Sequence, residues 1–192
     1  TLFPYTTLFR SQANLRTQVQ NFVSAFSNSQ DYSIITQYSA ADTISGTLAW
    51  VGDYVDSRAT QTSISDSKVK SYIASLFTSG VVKVDANTVY GVYFPAGMKI
   101  SSQGGTSCSA FCGYHGHFAY NGKDIKYAVF PYTDCRACSV SGKAVADVLT
   151  IVTSHEIREA VTDPDLNAWY DSAGYEADDK CAWQNLYQTS SG

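Results

Sequence analysis

Residues 145–165 read VADVLTIVTSHEIREAVTDPD, and the rest of the chain is best read outward from them. Val145, Val148, Leu149, Ile151 and Val152 recur at helical spacing with little polar interruption, which predicts a mostly buried helix. The helix is expected to stop before Pro164, because a proline pushes the residue ahead of it out of the helical region. Three ionisable groups, His155, Glu156 and Glu159, enter this apolar helix. His155 and Glu159 are four apart and share a face, with Glu156 beside them. Glu156, Glu159 and Asp163 all fall near a helix C-terminus, where the macrodipole disfavours negative charge. Arg158 is the only cation close by in sequence, so a bound metal ion would resolve the conflict.

The order His-Glu-x-x-Glu resembles the zincin metalloprotease motif, with a Glu where the second His usually stands. In that chemistry two side chains one turn apart hold the metal, and the Glu after the first acts as general base on an activated water. His155 and Glu159 are therefore the expected ligands and Glu156 the expected base. The bland alternative is a coincidence on a solvated helix face. A third protein ligand is needed, and the segment 167–183, NAWYDSAGYEADDKCAW, can return one to the helix. Glu176 is the expected ligand; Asp179, Asp163 and Asp165 are rivals, and a solvated or calcium-stabilised acidic loop is the alternative. Upstream, His115 and His117 sit in GYHGHF at 113–118. His115 is read as an added catalytic group that donates a hydrogen bond to a developing oxyanion, against the simpler reading that such residues satisfy nearby backbone.

One His and two carboxylates put more negative charge on a metal than the commoner His-His-Glu set. That weakens its Lewis acidity, so zinc is the first expectation and manganese or calcium the alternatives.

Composition sets the wider bounds. With 192 residues, one domain with a sizeable core is the default. Charged residues are only 16% against 14 tyrosines and many Ser, Thr and Gly, a composition that looks extracellular. A net charge of −4 without a basic cluster gives no nucleic-acid footprint, and no apolar run approaches a membrane span. Thr1 to Ser11, TLFPYTTLFRS, matches codon for codon the translation of a common sequencing adapter. It is set aside as non-native, leaving 12–192 as a single metallopeptidase-like domain. The native start, and with it any signal peptide, is then expected to be missing, and the abrupt finish at 188–192 reads as a second cut.

The cysteines, 108, 112, 135, 138 and 181, offer ligand-like Cys-x3-Cys and Cys-x2-Cys spacings, the zinc-ribbon reading. Disulfides in a secreted protein are favoured, since a fifth cysteine has no place in a four-ligand site. Its partner would then have gone with a lost end.

Elsewhere, Leu15, Val19, Phe22, Val23 and Phe26 form one stripe of an amphipathic helix over 12–27. Residues 31–45 read as loop and 47–55 as a strand. Ser65 or Asp66 can cap a second helix that Gly80 ends. Residues 88–94, TVYGVYF, predict a strand, and 117–132 with Asn121-Gly122 a hairpin. The expected fold is α/β or α+β: a zincin-like mixed sheet backed by helices, with the motif helix buried.

An ordered set of small motifs carries a further resemblance. Cys108, Cys112-Gly-Tyr-His115-Gly, Phe118-Ala-Tyr120, Cys135, Cys138, Thr162-Asp-Pro164, Asn167-Ala-Trp-Tyr170 and Cys181 together resemble the phosphate-induced, or EXORDIUM-like, protein family. The match runs from about 88 to 183. The resemblance implies a protein secreted to the cell wall or extracellular space, without an established enzyme activity in the plant members. The His-Glu pair at 155–156 departs from the plant pattern and is similar to microbial relatives that look like active metallopeptidases. Two functions are therefore carried forward. One is a secreted metalloendopeptidase-like hydrolase acting on a peptide or protein substrate. The other is a non-catalytic extracellular protein whose aromatic-rich strands bind wall polysaccharide or a protein partner.

Overall fold

The computed structural model describes residues 2–6, 13–39, 43–57 and 61–187, the first of these as backbone only. The fold is α+β and is organised by a five-stranded mixed sheet, order β2-β1-β4-β8-β7. Its strands are β1 (Leu2–Thr6), β2 (Tyr54–Val55), β4 (Val89–Tyr93), β7 (Tyr114–Tyr120) and β8 (Lys123–Phe130). The first four in sheet order run parallel; β7 is antiparallel to β8 and closes one edge. A three-stranded sheet, β3 (Ser63–Ser65), β5 (Lys99–Ser102) and β6 (Gly105–Thr106), accompanies it.

Strand β4 shows why the sheet is covered on both sides. All five of its residues are buried. Val89 and Tyr93 join a cluster with α1 (Ala13–Phe26) and α4 (Val145–Thr162). Tyr90 and Val92 join another with α3 (Asp66–Thr78) and Ile100 of β5. Alternating side chains of a strand point to opposite faces, so a strand without polar alternation needs a layer on each. The hairpin expected at Asn121-Gly122 is present, both residues having positive φ (48° and 76°) as a tight two-residue turn requires. The helix expected after Ser65 runs Asp66–Thr78, and Gly80 follows at φ 69°.

Two expectations need correcting. Residues 31–45, read as loop, contain α2 (Gln30–Ser33) continued by a 3-10 helix at Ile34–Tyr38. Ser29 caps α2, its hydroxyl accepting from the Tyr32 N–H, and Tyr32 and Ile35 fill the core under α1. Short hydroxyl-rich sequence hid a helix that tertiary burial holds. Of the strand expected over 47–55, only Tyr54–Val55 pairs in the sheet. The small sheet, built of two- to four-residue strands, was too short to leave a periodicity. Residues 2–6, set aside as adapter-derived, lie by backbone between β2 and β4. An open strand edge accepts any extended segment; Pro4, opposite Gly91, has no N–H to give the ladder.

Cysteine pairing is settled for four of the five. Cys108–Cys135 and Cys112–Cys138 are disulfides, which removes the zinc-ribbon reading because a bonded sulfur is not a thiolate ligand. Cys181 is free and exposed. Both bridges tie the segment leading into β7 to the turn after β8, and so brace the start of the strand that carries His115. Two disulfides fit an oxidising compartment, and among the described residues no helix is long and apolar enough to cross a membrane.

Candidate metal centre

Helix α4 is a buried element that becomes polar towards its end. Val148, Leu149, Val152, Ile157 and Ala160 are buried, and so are Glu156 and Glu159, at 5% and 4% exposure. Its start is held by Asp147, whose carboxylate accepts from the Ala144 N–H at 3.0 Å. Its middle is tied to β4 by the buried hydroxyl pair Tyr93–Thr153, 3.1 Å. Its end comes at Asp163, one residue before Pro164, as expected. The helix packs against β7 and β8, which brings His115 across to Glu156: His115 Nδ1 stands 3.6 Å from Glu156 Oε2.

The segment after α4 turns back and delivers its acids. Asp163 Oδ1 accepts from the N–H groups of Asn167 (2.6 Å) and Ala168 (2.8 Å) and thereby aims the chain. Leu166 and Trp169 take positive φ (56° and 58°) in this turn, an uncommon conformation held by its surroundings. Further on, the Glu176 N–H donates to Asp179 Oδ2 at 3.1 Å, and Arg158 of α4 is paired with Asp178. The loop is thus anchored at both ends of its acidic stretch.

Two groups of three donors result, each with its ligand atoms within 4.8 Å of one another. One is His155, Glu159 and Asp179; the other is His115, Glu159 and Glu176. In the first, His155 Nε2 lies 3.1 Å from Glu159 Oε2 and 3.5 Å from Asp179 Oδ1. In the second, His115 Nε2 lies 3.6 Å from Glu176 Oε2. His155 and Glu159 therefore meet as their spacing implies, and Glu176 does return to Glu159. Glu176 and His155, however, fall in different groups, and the third donor beside His155 is Asp179. Asp163 is occupied as the cap of the loop, and Asp165 is paired with Lys126; neither of these rivals joins the centre.

Electrostatics mark the centre as short of positive charge. Burial raises the Glu156 carboxyl above its ordinary range, partly offset by His115 and His155. Burial and the neighbouring Glu159, Asp163 and Asp179 raise Glu176 to about 7, against the opposing pull of His115. For His155, burial works downward but is outweighed by the hydrogen bond to Glu159 and the charges of Glu156, Glu159 and Asp178, so that it reaches about 9. His115 is raised in the same way, burial being overcome by Glu156, Glu176 and Glu159. Two carboxylate oxygens, Glu159 Oε1 and Glu176 Oε2, are buried with no hydrogen-bond partner among the described residues. A buried anion without a donor is costly, and a divalent cation among these oxygen and imidazole donors is the partner that fits.

One neighbour of the centre went unread in the sequence. A Cβ placed on Gly113 would lie 2.6 Å from Glu156 Oε1 and 2.5 Å from Val152 Cγ1. Gly113 thus leaves the space in which the Glu156 carboxylate sits. Its signal was available: an isolated glycine entering a strand often marks a close approach. Beside the centre runs a cleft of about 930 Å³ whose walls include Phe22, Phe111, Trp183 and Tyr187, and which reaches His155, Glu156 and Asp179. Glu159, His115 and Glu176 are not among the residues that line it.

The aromatic residues divide sharply. Tyr90, Tyr93, Tyr127 and Phe130 of the strands are core, whereas Trp169, Tyr170, Tyr175, Trp183 and Tyr187 are exposed on the segment after α4. The aromatic residues of the central strands thus go into the core, whereas Tyr114, Phe118 and Tyr120 of the edge strand β7 are only half-buried. Compared with protein-family models, curated proteins and solved structures, the chain matches none.

Proposed function

We propose that the protein is a secreted metal-dependent hydrolase acting on peptides, with its reactive cation on His155, Glu159 and Asp179. The observation that carries the reading is the partnerless buried oxygen of Glu159, one turn from His155, a residue that lines the cleft. A bound divalent cation supplies Lewis acidity and lowers the pKa of water at neutral pH.

The chain's own residues do the rest. Glu156 reaches the cleft with Oε1 in the space left by Gly113 and Oε2 facing His115. Its raised pKa suits a group that must take a proton and pass it on. His115 Nδ1–H, directed at Glu156, orients that carboxylate; in this role it is a positioning residue rather than an oxyanion donor. The cleft has the volume of a small-molecule or short-peptide site, and its aromatic walls offer stacking and apolar contact to side chains. The oxygen-rich donor set favours manganese or calcium beside zinc more than a histidine-rich set would. The resemblance to the EXORDIUM-like family and the two disulfides support secretion.

The exposed Trp169, Tyr170, Tyr175, Trp183 and Tyr187 favour a second reading, a binding protein for polysaccharide or a protein partner. Metal analysis of the purified protein beside Glu156→Gln separates the two. Under the hydrolase reading both bind metal stoichiometrically and only the wild type cleaves peptides. A wild type that takes up no zinc, manganese or calcium refutes it and leaves the binding protein.

A further inference from the structure

We infer that the centre takes two divalent cations rather than one, bridged by the Glu159 carboxylate. The outer one lies on His155, Glu159 and Asp179 at the cleft, the inner one on His115, Glu159 and Glu176. The inference rests on the metal-dependent reading above and extends it.

The geometry points there in three ways. First, the two three-donor groups share a single residue, Glu159, which at 4% exposure is out of reach of bulk water. Its Oε2 faces His155 at 3.1 Å; its Oε1 is buried and has no hydrogen-bond partner. A cation in the outer group satisfies Oε2 and leaves Oε1 as it was. Second, Glu176 Oε2, the other buried carboxylate oxygen that makes no hydrogen bond among the described residues, belongs to the inner group and has only the His115 Nε2 contact at 3.6 Å. One cation at His155 leaves that oxygen unanswered too.

Third, charge asks for two. Glu156, Glu159, Glu176 and Asp179 converge on two histidines. Among the described residues the nearby cations are already engaged, Arg158 with Asp178 and Lys180 with Asp171. Counted with both imidazoles neutral and these four carboxylates ionised, one dication leaves two negative charges in excess and two balance them; Asp163, the fifth acid near Glu176, is engaged by the N–H groups of Asn167 and Ala168.

His115 completes the pattern. As an inner ligand through Nε2, it would keep its proton on Nδ1, the nitrogen that faces Glu156 Oε2 at 3.6 Å. A metal-bound histidine held by a carboxylate on its other nitrogen is the usual way such a ring is fixed in tautomer and orientation. Carboxylate-bridged pairs of cations about 3.5–4 Å apart are an established catalytic arrangement. Here an ion in the inner group would sit against the buried Glu159 and His115 and would hold Glu159 and, through His115, Glu156 in place. The competing account makes His115 an imidazolium that donates to Glu156 and to the Asp163 carbonyl, 3.3 Å from Nε2, with no inner ion.

The experiment is titration of chelator-stripped full chain with Mn²⁺, read by bound metal per chain and by low-temperature EPR. Wild type should bind two Mn²⁺ and show the multiline signal of a coupled pair. His115→Gln and Glu176→Gln should each bind one and show an uncoupled six-line signal; Glu159→Gln should lose both. His117→Gln should keep two, since its group on the outer half of β7 is a separate one. If His115→Gln fails to fold, the near-isosteric Glu176→Gln decides.

One Mn²⁺ per wild-type chain, unchanged in Glu176→Gln, overturns the inner site and leaves the single-metal hydrolase intact. Two without coupling overturn the bridge. Loss of the second ion in His117→Gln instead of Glu176→Gln moves it to the surface and overturns the inference. No bound Mn²⁺, with zinc and calcium also refused, brings down both readings.

Discussion

His115 and His117 stand two residues apart on β7, hence on one side of the sheet, and each sits in a group with two carboxylates. His117 Nδ1 lies 3.0 Å from Asp124, and Asp165 is the third donor. His115 has Glu159 and Glu176. Counted by donors the two neighbourhoods are equal; physically they are opposites. The His117 side chain is 36% exposed, Asp124 44% and Asp165 45%, whereas His115 is 4% exposed. Lys126 also reaches both Asp124 and Asp165, so positive charge is already supplied. Around His115 burial limits solvent and, among the described residues, no lysine is paired with its acids, while Glu159 Oε1 and Glu176 Oε2 make no hydrogen bond. Three convergent acids and imidazoles call for a cation most strongly where burial limits solvent and no side-chain cation already balances the anions.

Glu159→Gln tests that contrast hardest. Bound metal should fall by more than about a hundredfold, beyond the loss of an outer-shell partner. In the metal-free protein the same change should lower the melting temperature, because it breaks the buried His155–Glu159 pair at 3.1 Å. A variant that still holds metal at wild-type affinity breaks the contrast. Next comes the brace. The paired substitution Cys112→Ser/Cys138→Ser opens the bridge entering β7, whose sequence separation is 26. It should cost about 3 kcal/mol in denaturant unfolding, the entropy of a loop of that size. Metal affinity should fall with it if the bridge positions His115.

Gly113→Ala is a smaller perturbation, aimed at one side of the pair. Its methyl meets Val152 and the Glu156 carboxylate, so stability should drop by about 1–3 kcal/mol. Peptide cleavage should drop more than metal content, since Glu156 is displaced and the donors of the outer group are not. At His117 the expected effects are slight. His117→Ala should change stability by no more than about 0.5 kcal/mol and leave metal content unaltered. Acid titration reads the same region. Partial burial pushes the Asp124 carboxyl up, but Lys126 and His117 hold it down at about 2, against an ordinary 3.8. A lowered folded-state pKa stabilises above the unfolded value, so the small contribution is complete above about pH 4 and fades as pH falls toward 2. Its loss in Lys126→Met, followed by acid unfolding, checks the assignment.

Much of the frame was legible because it is written in local periodicity. The α1 stripe of Leu15, Val19, Val23 and Phe26, the stop at Pro164 and the hairpin at Asn121-Gly122 all recur in the structure within a residue or two. The motif His155-x-x-x-Glu159 was legible for the same reason, as one helical turn. Residues 34–38 and the small sheet were not, since elements of two to five residues carry too little pattern and are held by burial alone.

By itself, then, the sequence determined that a buried helix would present a histidine and a glutamate one turn apart, and it marked His115 as a separate candidate. Tertiary structure alone decided which acids complete the centre. Asp163 is taken up by the backbone of the following turn and Asp165 by Lys126, while Asp179 and Glu176 divide between the two histidines with Glu159 common to both. The reason is range: spacing along a helix is set by 1.5 Å per residue, whereas the side of Glu159 that a loop some twenty residues on will face depends on caps, turns and packing that no local pattern encodes.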